Sequence, residues 1–307
     1  MNLLSKKLLL SGVVLSVLLC SSLVPLAKAA SMWSQTYGES GTDCAHSLVA
    51  TSDGGYAIAG STSSSGAGQD DFWLVKIDES GNVEWNQTYG GESFDYAYSL
   101  AATSDGGYAL AGGDLLVKTD AFGNMQWSKT YEQGSVHSLI AMSDGGYILA
   151  GAWNYSGDCD FWLVKTDSTG VMEWNRKYGG PANDYACSVV AASSGGYAIA
   201  GATNGDFWLV KTDALGNMEW SRTYGGEGAE ATSCLVEAPD GGYVIAGSGP
   251  SSDHKSFDFW LVKTDEFGFS SRSALWLPSL ILLLTGASLV VASILSILIK
   301  RRKLRKR

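Results

Sequence analysis

Residues 194–224 read SGGYAIAGATNGDFWLVKTDALGNMEWSRTY, and this pattern decides the fold. A Gly-Gly pair precedes a short apolar strand, and a second turn leads into Asp-Phe-Trp-Leu-Val-Lys. An Asp-x-x-Gly-Asn turn then precedes a strand with Trp and Tyr four residues apart. Glycines supply the positive φ angles that tight hairpins need. The stretch therefore predicts three consecutive antiparallel strands.

The same pattern occurs five times along the chain. A short apolar run before each Gly-Gly-Tyr supplies a further strand, so each unit is predicted to be a four-stranded antiparallel sheet. A period of about 40–50 residues with several strands per unit is typical of a β-propeller. The recurring tryptophans are expected to pack between blades. The five Gly-Gly-Tyr tyrosines are Tyr56, Tyr108, Tyr147, Tyr197 and Tyr243.

We therefore predict an all-β fold, a five-bladed β-propeller within residues 30–268. The strand Trp33–Tyr37 stands alone at the start, whereas the last unit lacks its fourth strand. Pairing of this N-terminal strand with the last blade would close the ring and remove free sheet edges. The predicted blades span residues 39–89, 90–131, 132–178, 179–224 and 225–268.

The two ends of the sequence indicate export and membrane anchoring. Two lysines, an apolar run and Ala-Lys-Ala at 27–29 are typical of a signal peptide over residues 1–29. Residues 274–299 carry no charge and are long enough for a transmembrane helix. After a linker, 269–273, and this helix, the basic tail 300–307 is expected in the cytoplasm and the propeller outside the cell. Retention and later processing of the helix both remain open.

Charge and cysteine content exclude several classes of partner. Of the 21 Lys and Arg residues, three precede residue 30 and seven follow residue 299. The remaining 11 lie between these positions, together with 31 Asp and Glu residues. A domain this acidic repels nucleic acid and favours cations or basic partners. The cysteines show no zinc-ligand spacing, and their disulfide state stays open. The four that follow the signal peptide are Cys44, Cys159, Cys187 and Cys234.

Internal alignment separates candidate site residues from the repeated framework. At one position of this alignment, directly before the first strand of each blade, the residue is acidic in every blade except the third, which has Gly134. We call this set of equivalent residues the acidic column. It is interpreted either as a Ca²⁺ site at the channel mouth or as a set of strand caps. The acidic column consists of Asp43, Asp95, Asp184 and Glu230.

A second column, three residues further on, varies from blade to blade and is a candidate ligand-binding set. It consists of His46, Tyr98, His137, Cys187 and Ser233. Trp153 and Tyr155, in a variable loop, are candidates for a contact surface. Asn86 and Asn154 lie in glycosylation tripeptides. Each repeated Lys-x-Asp is expected to place Asp in its own turn and Lys along the blade surface.

The repeats DGGYxIAG, DFWLVKTDxxGNxxW and TYGG resemble those of exported prokaryotic and archaeal cell-surface β-propeller proteins. More distantly, they are similar to quinoprotein-type propellers. The resemblance implies a binding, adhesion or scaffolding module for an extracellular polymer, glycan or surface protein. Two alternatives remain open: an exported enzyme, either a quinoprotein-like oxidoreductase or a glycan-active enzyme with a site at the channel mouth, and a purely structural envelope protein.

Overall fold

A computed structural model of the chain describes residues 32–153, 158–226, 228–251 and 256–270. The chain divides into two compact units, residues 1–36 and 37–307. The predicted signal peptide, membrane helix and basic tail lie outside the described residues. Within the described ranges, no helix is long and apolar enough to cross a membrane.

The described part of the second unit forms five antiparallel sheets in chain order, four with four strands and the last with three, which confirms a five-bladed β-propeller built on a four-stranded blade. Blade 1 contains β1 Asp43–Ala50, β2 Tyr56–Thr62, β3 Asp71–Ile77 and β4 Val83–Tyr89. Blade 2 contains β5 Ser99–Ala102, β6 Tyr108–Gly112, β7 Leu115–Thr119 and β8 Met125–Thr130. Blade 3 contains β9 Gly134–Ala141, β10 Tyr147–Trp153, β11 Asp160–Thr166 and β12 Met172–Tyr178. Blade 4 contains β13 Asp184–Ala191, β14 Tyr197–Thr203, β15 Asp206–Thr212 and β16 Met218–Tyr224, and blade 5 contains β17 Ala231–Glu237, β18 Tyr243–Pro250 and β19 Phe257–Lys263.

Four hydrophobic clusters hold consecutive blades together, one at each junction from blade 1 to blade 5. At the junction of blades 3 and 4, Phe161 and Leu163 of β11 pack against Ile199 and Trp208 of blade 4. The rings of Phe161 and Trp208 lie 4.4 Å apart, centroid to centroid. The near-continuous apolar strands of the sequence are thus explained by sheets buried on both faces.

The Trp-x-x-x-Tyr strand joins each blade to the turn between the third and fourth strands of the next blade. The Tyr178 hydroxyl donates a 2.5 Å hydrogen bond to the carbonyl of Gly216, and a Cβ on Gly216 would lie 2.7 Å from the Trp174 ring. Only glycine at this position allows the tryptophan to pack so closely. The same tyrosine-to-glycine bond occurs for Tyr89 with Gly123, Tyr131 with Gly170, and Tyr224 with Gly268.

The junction between blade 5 and blade 1 is not formed by the described residues. Phe259 and Leu261 of β19 are 99% and 66% exposed, whereas Phe207 and Leu209 at the equivalent positions of blade 4 are buried. On the facing side of blade 1, Leu48 is 61% exposed. A closed ring would bury all three side chains.

The prediction that Trp33–Tyr37 forms the fourth strand of the last blade is wrong, because residues 32–40 contain no strand. Every other fourth strand follows its partner through a short Asp-x-x-Gly hairpin. The segment Trp33–Tyr37 would instead have to pair with β19, more than 200 residues further along the chain, and closing so long a loop costs more entropy. Tyr37 nevertheless keeps the repeated contact, since its hydroxyl donates a 2.8 Å hydrogen bond to the carbonyl of Gly81 in blade 1.

The Lys-x-Asp pairs have two separate roles. As predicted, the aspartate stabilises its own turn: Asp213 accepts hydrogen bonds from the backbone N–H groups of Leu215 and Asn217. The lysine differs from the prediction, because it is buried in the first four blades. Lys118, for example, forms a 2.8 Å ion pair with Asp105 of the Asp-Gly-Gly hairpin. Antiparallel pairing of β6 with β7 brings these two residues together.

These ion pairs predict loss of stability in acid. Burial opposes ionisation of Asp105, but the Lys118 ammonium and the Thr103 hydroxyl lower its pKa to about 2. The pKa values of Asp53, Asp144 and Asp240 are also lowered, chiefly by their lysine partners.

A lowered pKa stabilises the fold at pH values above the unfolded pKa of 3.8, and this contribution is lost as the pH falls through the pKa of the folded state. Thermal unfolding of the full chain should show a melting temperature that falls between about pH 5 and pH 2, and less steeply in Asp105→Asn. An unchanged melting temperature over this range would contradict the prediction.

Candidate ligand-binding site

The variable column lies at a β-bulge of the innermost strands. The pairing register of the first strand with the second shifts at His46, His137, Cys187 and Ser233, so each is the extra residue of its strand. Tyr98 lies directly before β5. Bulges redirect side chains and are common beside binding sites. This explains how one column can vary while the surrounding framework repeats.

The structure brings three of the five column residues together. The His46 and Tyr98 rings lie 5.5 Å apart, and the Tyr98 and His137 rings 5.9 Å apart. Cys187 and Ser233 are not members of this ring cluster. Burial raises the pKa of the Cys187 thiol to about 11, so this thiol is protonated and unreactive at neutral pH. The four cysteines among the described residues are free thiols.

Phe94 and Tyr96, which the sequence reasoning missed, extend this group into an aromatic ladder with Tyr98. Phe94 stacks on Tyr96 at 6.1 Å, and Tyr96 stacks on Tyr98 at 6.2 Å. The Tyr96 hydroxyl donates a 2.8 Å hydrogen bond to Asp70, which fixes that ring. Phe94 and Tyr98 remain 58% and 40% exposed. Large exposed aromatic rings held in one orientation are typical of binding surfaces.

The aromatic ladder lines a cavity of about 520 Å³ at the junction of blades 2 and 3. Polar groups of both blades surround its apolar wall, which is the usual composition of a small-ligand site. Its volume lies within the range of ligand pockets, about 300–1,000 Å³. The polar lining residues include Asp95, Asp114, Gln133, Ser135 and His137.

His137 is positioned as a structural residue of this cavity. Its Nδ1 donates a 2.8 Å hydrogen bond to the carbonyl of Ala186, and Nε2 lies 3.2 Å from the Ser135 hydroxyl. Burial lowers its pKa, so the ring is neutral at neutral pH. With both nitrogens engaged, His137 orients the wall of the site.

The four residues of the acidic column do not form a single cluster. Each accepts a hydrogen bond from a backbone N–H four residues earlier in the chain: Asp95 from Gly91 at 2.9 Å, Asp184 from Gly180 at 3.0 Å, and Glu230 from Gly226. Asp43 accepts bonds from Glu39 N–H and the Ser64 hydroxyl. Within the described ranges, no group of three or more His, Cys, Asp or Glu residues is arranged to hold a metal ion.

The remaining candidate residues that the structure describes, Trp153 and Asn86, do not line this cavity. Trp153 packs against the Trp162 ring at 5.5 Å, and the Lys177 ammonium lies 3.6 Å from its centroid, a cation–π contact. Asn86 is exposed on β4, and its side chain accepts a 3.2 Å hydrogen bond from the Trp73 indole N–H. Tyr155 and Asn154 lie outside the described residues.

The fold defines the chain as a β-propeller, an architecture commonly used for binding and scaffolding. No protein-family model matches it, and neither does any curated protein. Among solved structures, it is similar to a protein of unknown function from Bacteroides caccae, with 10% identity, a TM-score of 0.45 and coverage of 67% of this chain and 90% of that one. It is also similar to Sqt1 from Chaetomium thermophilum, with 12% identity, a TM-score of 0.43 and coverage of 73% and 69%. A further structure, of Sqt1 bound to the N-terminus of the ribosomal protein L10, matches with 12% identity, a TM-score of 0.43 and coverage of 73% and 72%.

Proposed function

We propose that the chain is a cell-surface binding module that holds an extracellular glycan or related polymer at the aromatic ladder. The observation that carries the proposal is the ladder itself. Blade 2 places three stacked rings where the equivalent positions of blade 5 are Ala229, Ala231 and Ser233. A feature confined to one blade of a repeated framework is not required for folding of the others, which favours a role in recognition.

A sugar polymer fits the chemistry of this cavity. The apolar C–H face of a sugar ring packs on an aromatic ring, while its hydroxyl groups need hydrogen-bond donors and acceptors at the rim. Asp95, Asp114 and Gln133 supply such groups around Phe94 and Tyr98. The strongly acidic domain argues against nucleic acid and polyanionic polymers. Neutral or basic glycans are therefore the proposed class.

Display on the cell surface is supported by the sequence ends. The predicted signal peptide, the uncharged segment 274–299 and the basic tail 300–307 together favour a single-pass protein with its propeller outside. Protease added to intact cells that express the full chain should remove the propeller and spare the tail. Loss of the tail and protection of the propeller would contradict this orientation.

The binding proposal is tested by screening the full chain, in detergent, on a glycan array and measuring affinity for the best ligand. Phe94→Ala and Tyr98→Ala should each weaken binding about tenfold or more, since aromatic anchors dominate such sites. Tyr185→Ala is the matched control, because Tyr185 occupies the position of Tyr96 in blade 4, where no ladder exists. Equal weakening by all three substitutions, or no bound glycan at all, would overturn the proposal.

A further inference from the structure

Pairs of carboxylates meet at three blade junctions. In each pair, the aspartate at the start of one blade's third strand faces the acidic-column residue of the next blade. A Cβ on Gly90 would overlap Asp71 Oδ1 and lie 2.7 Å from Asp95 Oδ2. A Cβ on Gly179 would likewise overlap Asp160 Oδ1 and lie 2.6 Å from Asp184 Oδ2. The three junction pairs are Asp71 with Asp95, Asp160 with Asp184, and Asp206 with Glu230.

The repeated Tyr-Gly-Gly sequence builds these junction pairs. The first glycine leaves room for the two carboxylates, as the overlaps at Gly90 and Gly179 demonstrate. The second glycine donates its N–H to the acidic-column residue: Gly91 to Asp95, Gly180 to Asp184, and Gly226 to Glu230. The motif therefore holds one carboxylate in place while allowing another to approach it.

In each junction pair, one buried oxygen has no hydrogen-bond partner among the described residues. These atoms are Asp71 Oδ1, Asp184 Oδ1 and Glu230 Oε2, on side chains that are at least nine-tenths buried. No carboxylate of a junction pair forms a salt bridge with a Lys, Arg or His among the described residues. An unpaired buried carboxylate costs several kcal/mol, and a second carboxylate beside it adds repulsion. A positive charge between the two would remove both penalties.

The junction of blades 2 and 3 provides an internal comparison. Asp114 precedes β7 there, but Gly134 replaces the acidic residue and Glu132-Gln133 replaces Gly-Gly. A Cβ on Gly134 would overlap the Trp162 ring, so an indole fills this space. Loss of the second carboxylate thus coincides with loss of the two glycines, which indicates that all three features serve one purpose.

We propose that each junction pair binds one Ca²⁺ ion between adjacent blades. Two carboxylates neutralise the ion, and backbone carbonyls and water complete a shell of six to eight oxygens, which Ca²⁺ accepts in flexible geometry. The small number of charged ligands places the sites in the weak class of extracellular modules, with Kd about 10⁻⁴–10⁻³ M. The ions would act as clamps that join consecutive blades.

A proton shared by the two carboxylates of a junction pair is the competing explanation for how their repulsion is relieved. Burial, with the Asp95 charge, raises the pKa of Asp71, and burial, with Asp206, raises the pKa of Glu230. Proton sharing would relieve the repulsion in acid, whereas Ca²⁺ would relieve it at neutral pH. Calcium binding therefore predicts that added Ca²⁺ stabilises the fold at pH 7, whereas proton sharing predicts no response to Ca²⁺.

The test is calorimetric titration of the full chain with CaCl₂ at pH 7 after treatment with a chelator, together with thermal unfolding. We expect about three ions per chain and a melting temperature that rises over millimolar Ca²⁺. Asp160→Asn and Asp184→Asn should each remove one ion, whereas Asp114→Asn, at the junction without a pair, should leave the number unchanged. The proposal would be overturned if about 10 mM Ca²⁺ gave neither a heat of binding nor a change in melting temperature. An equal number of bound ions in all three variants would also overturn it.

Discussion

Replacing Phe161 with alanine is expected to lower the free energy of unfolding by about 3–5 kcal/mol, the cost of removing a fully buried aromatic ring. Phe161 packs between blades 3 and 4, with its ring 4.4 Å from that of Trp208. Phe259→Ala should cost less than about 0.5 kcal/mol, because the equivalent ring of blade 5 is exposed. The two substitutions remove the same side chain from the same motif, so they differ only in the junction.

Denaturant unfolding of the full chain in detergent measures both changes. A large difference between Phe161→Ala and Phe259→Ala would confirm that four junctions, and not five, stabilise the propeller. Equal losses would mean that the exposed face of blade 5 is covered in solution. The account of the fifth junction would then be wrong.

Gly216→Ala is expected to lower the free energy of unfolding by about 2–4 kcal/mol. The φ of Gly216 is +75°, and a Cβ would lie 2.7 Å from the Trp174 ring and 2.9 Å from Arg176 Cγ. An alanine at positive φ costs about 1 kcal/mol, and overpacking adds about 1–3 kcal/mol. The carbonyl that Tyr178 binds belongs to the same residue, so displacement of the turn weakens that bond too.

Gly106→Ala separates these two effects. Gly106 has a similar φ, +85°, but a Cβ there would meet no atom within 4 Å. The substitution should therefore cost only the backbone term, about 1 kcal/mol. Equal destabilisation by Gly106→Ala and Gly216→Ala would show that contact between Trp174 and the turn contributes nothing.

Most of the fold could be predicted because local turn chemistry determines it. Gly-Gly and Asp-x-x-Gly turns specify consecutive antiparallel strands, and their repetition specifies a propeller. The prediction that Trp33–Tyr37 closes the ring failed, because pairing between the two ends of the domain is not determined by local turn chemistry. The ion pair of Lys118 with Asp105 was predictable in principle, because hairpin register alone brings the two residues together.

The candidate site was predicted in part. The variable column identified Tyr98 and His137, which line the cavity, but it omitted Phe94 and Tyr96. Alignment of the blades contains the missing signal, since only blade 2 has aromatic residues at all three positions. The stacking of those rings depends on the extended backbone before β5 and on the bond from Tyr96 to Asp70, which alignment alone does not reveal.

Hydrogen–deuterium exchange of the full chain, with and without the glycan selected on the array, tests the proposed binding site most directly. The account predicts protection of the segments 92–98 and 133–137, which carry the aromatic ladder and the facing wall of the cavity. The matched segment of blade 4, residues 181–187, should exchange at the same rate in both samples. Protection confined to blade 4 or blade 5, with residues 92–98 unchanged, would contradict the account.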